Sequence, residues 1–217
     1  MDAFGELRAR LPKSLQKKVD RVKTPLQVQE LLDATPYNAE ERDRSPLHVL
    51  LDGQCHCLDG GFLAALLLAK IGHPPLVLDM VPEPGTDDDH VLALFSHEGR
   101  WGAVAKSNYV HLGYREPVYR GARELVMSYF EHYVNTQRQR TLRGYTRPMD
   151  ISRHAESTWP WDEPAANRLY RKFYSRKAIS LLPASTTTRL SLMRERVFAS
   201  ETLGTDMSWV FGNRPAV

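Results

Sequence analysis

Apolar residues recur every four positions at Leu7, Leu11, Leu15 and Val19, with lysine and arginine between them, which predicts one amphipathic helix at the start of the chain. Thr24 followed by Pro25 is a helix start, a hydroxyl cap and then an imide that lacks only an N–H the first turn leaves unbonded, and a second helix is expected over Leu26–Leu32. A loop should follow from Pro36 to Arg44. The apolar run Pro46–Leu51 leads into Asp52 and Gly53, and the stretch from Cys57 to Ile71 stops at Gly72, His73, Pro74 and Pro75. Between Phe62 and Ile71 only Lys70 is charged, so this helix has little polar face and must sit inside the fold.

The pattern then shortens. Leu76–Leu78, His90–Phe95 and Trp101–Ala105 read as strands, with an acidic loop over Pro82–Asp89 and a glycine turn at Glu98 and Gly99 that favours an antiparallel hairpin. Val118, Leu125, Val126, Tyr129, Phe130 and Tyr133 predict a helix over Glu116–Asn135. Pro164–Leu182 and the region around Arg189–Phe198 are read as basic helices, preceded by Trp159, Pro160 and Trp161. The expected fold is α+β: a central buried helix packed on a small antiparallel sheet, with added N- and C-terminal helices. The 217 residues suit one domain, with a helical part over residues 1–50, a core motif over 53–108 and a C-terminal extension packed on the core from about residue 140 to 217.

Composition narrows the class. A hydrophobic fraction of 42% and a charged fraction of 25% exclude a disordered chain. The longest apolar stretch is about half of the roughly 20 residues that span a bilayer, so no membrane partner is expected. Met1, Asp2, Ala3 and Phe4 do not form a basic and then apolar leader, which makes the cytoplasm the expected address. The net charge of +3 gathers in the second half, but its arginines are interspersed with acids, and nucleic acid is not an expected partner. Cys55 and Cys57 are the only cysteines, too close for an ordinary disulfide, which turns attention to catalysis or metal binding.

A thiol attacks as thiolate, and the unpaired N–H groups of a helix start favour negative charge. Cys57 is placed there. An imidazole must take its proton and return it to the leaving group, and His90, opening a strand after the acidic loop, is the candidate. Each residue alone is more commonly structural, and Trp101 and the Tyr129–Tyr133 aromatics are read as packing.

Cysteine, buried helix, glycine–proline stop, strand, and then a histidine strand ending before a tryptophan strand resemble the transglutaminase-like superfamily, whose core is papain-like. The resemblance covers about residues 53–108 and rests on Cys57, Leu58, Asp59, Gly60, Gly61, on Gly72, on His90–Leu94 and on Arg100 and Trp101. It implies an acyl-transfer site with Cys57 as nucleophile and His90 as base. The family's Gly-x-Cys instead fits Gly53, Gln54 and Cys55, which leaves Cys55 as the competing nucleophile. The family's orienting Asp falls on Ala105. Asn108 is the expected substitute, with Ser107, Asp88 and Asp89 in reserve, and Gln54 is a candidate oxyanion donor.

The substrate expected is a peptide or amide, with water or an amine as acceptor, and no cofactor. An inactive domain used for binding or assembly is the rival, motivated by Ala105. A cation at Asp87–Asp89, and zinc at Cys55, His56, Cys57 and His90, are both disfavoured because the remaining ligands or the geometry are wanting.

Overall fold

In a computed structural model that describes residues 3–213, the chain opens with two short helices, α1 (Ala3–Arg10) and α2 (Lys13–Asp20). Leu7, Leu11 and Val19 are buried as their spacing requires. The single helix expected there is nevertheless broken, because Pro12 cannot continue α1 and instead caps the start of α2. Met1 and Asp2, where the leader was sought, lie outside the described residues.

Thr24 accepts the Gln27 N–H at 3.3 Å and starts α3 (Pro25–Asp33). Helix α4 (Pro46–Asp52) stops at Gly53, which takes the left-handed conformation with φ 67°. The central helix, α5 (Cys57–Lys70), is buried from Cys57 to Leu68, as its missing polar face demands.

Next come β1 (Leu76–Pro82), β2 (His90–His97), β3 (Arg100–Val104), β4 (Arg115–Tyr119) and α6 (Ala122–Met127). The remainder is β5 (Leu142–Thr146), β6 (Met149–Asp150), α7 (Glu163–Tyr174), β7 (Ala178–Ser180), α8 (Ala184–Thr187) and α9 (Glu195–Glu201). The strands form one antiparallel sheet in the order β4-β3-β2-β1-β5-β7, with β6 also paired to β1.

The architecture is α+β, with more sheet than expected. The region read as one helix from Glu116 divides: Val118 stands on the edge strand β4, and only the part from Ala122 is helical. The C-terminal part, read as helical, supplies three strands. β5 lies beside β1, pairing Met80 with Tyr145, and the expected helix to Leu182 ends at Tyr174. Alternation along the strands buries both faces. Val77, Val91, Ala93 and Phe95 pack with α5, whereas Leu78, Leu92 and Leu94 pack with Leu125, Tyr129 and Tyr133.

α7 covers the other side of α5. Phe62 meets Trp159, Tyr170 and Phe173 edge-on, at centroid separations of 6.0, 4.6 and 5.4 Å. Just after β3, Lys106 is buried and donates to the carbonyls of Leu32 and Thr35, where α3 ends and its unpaired acceptors favour a cation.

Gly60 and Gly61 allow this packing. A Cβ on Gly60 would collide with the Lys106 stem, and one on Gly61 would stand 2.7 Å from Val91 Cγ1. Gly61→Ala should therefore cost about 1–3 kcal/mol from overpacking, beyond the ~1 kcal/mol that alanine gains in a helix. In the Gly61→Ala background, Val91→Ala should cost less than it does in the wild type. Strictly additive losses in denaturant melts would show that the two side chains do not compete for this space.

Candidate functional site

His56 takes extended backbone (φ −100°, ψ −171°), so Cys57 is the first helical residue of α5, beside the free N–H groups of the first turn. Cys55 lies two residues earlier, fully buried, in a one-residue bridge to Tyr37, and burial pushes its thiol up to about 12. Of the two thiols, only Cys57 lines a cleft, about 190 Å³ in volume, with Tyr37, Glu40, Asp43, His56, Asp89 and Tyr174.

The thiol lies against the chain on both sides of His90. Cys57 Sγ donates to the Asp89 carbonyl at 3.6 Å, and the nearby Val91 backbone works to lower the thiol. Its surroundings oppose the thiolate that a helix start would favour. Burial, and then the charges of Asp89 and Asp88, raise the Cys57 thiol well above its ordinary value. The lowering that a helix start favours is thus opposed by the depth and the acidity of the site.

Those acids are themselves perturbed. Asp79 interrupts the apolar strand β1, and burial beside Asp89 raises its carboxyl to about 8. Asp89 is raised by the same burial, although the Tyr174 hydroxyl stabilises its charge. Two adjoining carboxyls with little water cannot both ionise cheaply, so they share a proton at neutral pH. His56 lies within 3.4 Å of both Asp43 and Asp59. Burial opposes its charge, but those two acids outweigh it and raise the imidazole. Asp59, pushed up to about 6 by burial, also accepts the Arg44 backbone N–H at 2.8 Å. Asp43, His56 and Asp59 bring three donor atoms within 4.8 Å of one another, already engaged as an ion-pair cluster with the Arg44 N–H on Asp59.

His90 opens β2 and reaches into the layer of Leu112 and Tyr133. Its Nε2 lies 2.8 Å from the Leu112 carbonyl, and the Tyr133 ring stands edge-on at 6.5 Å. A carbonyl only accepts, so Nε2 carries the hydrogen and Nδ1 keeps its lone pair. Burial lowers the His90 imidazole to about 4, with the Leu112 bond working against that fall. The imidazole cleft and the thiol cleft share Tyr37, Asp88 and Asp89 as walls.

Asn108 does not supply the ring bond expected of it. Its amide donates to the Asp206 carbonyl at 2.7 Å and accepts the Asp206 N–H at 3.0 Å. The chain beyond β3 turns there toward the C-terminal segment, and a backbone carbonyl takes the orienting place. Of the reserves, Ser107 Oγ accepts the Tyr109 N–H, and Asp89 faces Asp79 and Tyr174. Asp88 forms a wall of both clefts. Ala105 is buried, its backbone N–H and C=O both bonded to the Gln29 side chain. Gln54 is half-buried in the link between α4 and α5.

Sequence reasoning missed Asp79, Tyr174 and the Leu112 carbonyl. A carboxylate inside the run Leu76–Met80 was a usable signal for the first; a backbone carbonyl leaves none. The C-terminal segment, expected to pack on the core and to act on substrate access, lines the His90 cleft through Trp209, Val210 and Phe211.

No helix among the described residues is long and apolar enough to cross a membrane. No family model matches the chain, and no curated protein matches it. Among solved structures it is similar to LapG of Legionella pneumophila, at 15% identity and a TM-score of 0.35, over 46% of this chain and 69% of that one. The EGTA-treated form of that protein matches with 15% identity and a TM-score of 0.34, over 52% and 63%. The chain is also similar to a candidate cysteine protease of Cytophaga hutchinsonii, at 15% identity and a TM-score of 0.38, over 51% of this chain and 41% of that one.

Proposed function

We propose that the protein is a thiol acyl-transfer enzyme acting on an amide or peptide bond, with Cys57 as nucleophile and His90 as proton carrier. The observation that supports the reading is the hold on the thiol: Cys57 Sγ donates to the carbonyl of Asp89, the residue directly before His90, at 3.6 Å, and Nδ1 is the imidazole nitrogen left with a lone pair. In this scheme Nδ1 takes the thiol proton as sulfur attacks the carbonyl carbon. The resulting oxyanion lies at the free N–H groups opening α5, with Gln54 as a further donor. His90 then protonates the amine nitrogen as the C–N bond breaks. Water attacks the thioester, gives its proton to Nδ1, and releases the acid and the thiol. An amine in place of water would take the acyl group instead.

A second reading, an inert domain used for binding, is favoured by the electrostatics. With the imidazole lowered to about 4 and the thiol raised well above its ordinary value, both groups rest neutral and a thiolate–imidazolium pair is disfavoured. In both readings Glu40, Glu41, Asp43, Asp88 and Asp89 along the thiol cleft favour a ligand bearing an amine or guanidinium.

Turnover of cationic amide or peptide substrates should vanish in Cys57→Ala and in His90→Ala with the fold retained, whereas Cys55→Ala should be mild. Full activity in Cys57→Ala would remove the thiol from the mechanism.

Alkylation separates the two readings. The enzyme reading expects iodoacetamide to label Cys57 faster than Cys55 near neutral pH, and equal rates would favour the inert domain. Because the Cys57 thiol is raised, its labelling should climb roughly tenfold per pH unit through the neutral range, as the thiolate fraction does. Asp79→Asn combined with Asp89→Asn removes the negative charge that this pair carries and should speed labelling at about pH 7 by roughly tenfold. An unchanged rate would show that the pair does not suppress the thiolate.

A further inference from the structure

Away from the thiol, three distant parts of the chain converge on Glu201, the last residue of α9. Its side chain is 3% exposed, and its two oxygens lie 2.9 Å from His111 Nδ1 and 2.9 Å from His132 Nδ1. The two imidazoles stack at 4.8 Å between centroids and 21° between planes. A carboxylate this deep needs a positive partner. The groups placed against its two oxygens are two imidazoles, one on each.

We propose that His111, His132 and Glu201 form a binding site for a zinc-class divalent ion. Imidazole and carboxylate suit zinc, and three protein ligands with a fourth place open are a common zinc arrangement. The three donor atoms lie within 4.8 Å of one another. Ligands at roughly 2.0–2.2 Å from a tetrahedral ion stand about 3.3 Å apart, so a small adjustment of side chains admits the metal. The fourth place faces water, because the His111 and His132 side chains are 46% and 32% exposed.

Binding moves the hydrogen of each neutral imidazole from Nδ1 to Nε2, which frees both Nδ1 lone pairs for the ion. An imidazolium present beforehand releases its extra proton to solvent. The ion then ties α9 to the turns Val110–Leu112 and Phe130–His132. His111 directly precedes Leu112, whose carbonyl holds His90, so the metal stiffens the support of that imidazole and anchors the chain leading to Trp209 and Phe211. The site is independent of the acyl-transfer reading.

The test is zinc titration of the chelator-stripped full chain in competition with a chromogenic chelator. One zinc per chain is expected, with affinity weakened roughly 100-fold or more in His132→Ala and Glu201→Gln and unchanged in Cys57→Ala. Zinc should also raise the melting temperature of the wild type but not of His132→Ala. If Glu201→Gln does not fold, His111→Ala, at an exposed position, decides by the same loss of affinity. Zinc binding lost in Cys57→Ala, kept in the histidine variants, or absent in the wild type at about 100 μM zinc would overturn the proposal.

Discussion

The close approach of α5 to the sheet sets the position of everything around it. Gly60 and Gly61 present only backbone to Lys106 and Val91, and that contact fixes where β2 and the chain after β3 lie against the helix start. Val91 packs on Gly61, and two residues earlier in the chain Asp89 accepts from Cys57 Sγ. Helix packing and thiol position thus depend on the same stretch of chain. The buried Lys106 extends it to α3, whose last carbonyls give its ammonium the partners that burial demands.

Charge works against packing at this place. The helix start favours a thiolate, yet burial first, and then the charges of Asp89 and Asp88, outweigh the partial charge of a helix end. Under the proposed acyl-transfer reading, Cys57 and His90 rest as a neutral thiol and a neutral imidazole, and a ligand that neutralises the acids with its own positive charge would ease thiolate formation.

The C-terminal third completes the molecule in two ways. Trp159, Tyr170 and Phe173 shield Phe62 and close the helix side of the core, while β5 extends the sheet beyond β1. Further on, the Asn108–Asp206 bonds and the His111–Glu201–His132 cluster fasten the last segment beside the His90 cleft. Access to the imidazole thus depends on residues about a hundred positions away from it in sequence.

The sequence by itself determined what depends on local pattern. Continuous apolarity from Phe62 required a buried α5, Thr24–Pro25 set the start of α3, and alternation set β2 and β3. The register that makes Cys57 rather than Cys55 the first helical residue was legible too. Pairing partners were not. β4 was read as helix because Val118, Leu125 and Tyr129 stand at the helical spacings of seven and four, and only an edge position beside β3 makes Arg115–Tyr119 a strand. The third position of the site was equally hidden, since the Leu112 carbonyl carries no side-chain signature and Asn108, chemically apt, was drawn to Asp206. Burial decided the rest: an Asp79–Asp89 pair that shares a proton, and a thiol raised rather than lowered, arise from desolvation and the proximity of strands, which exist only once the chain has folded.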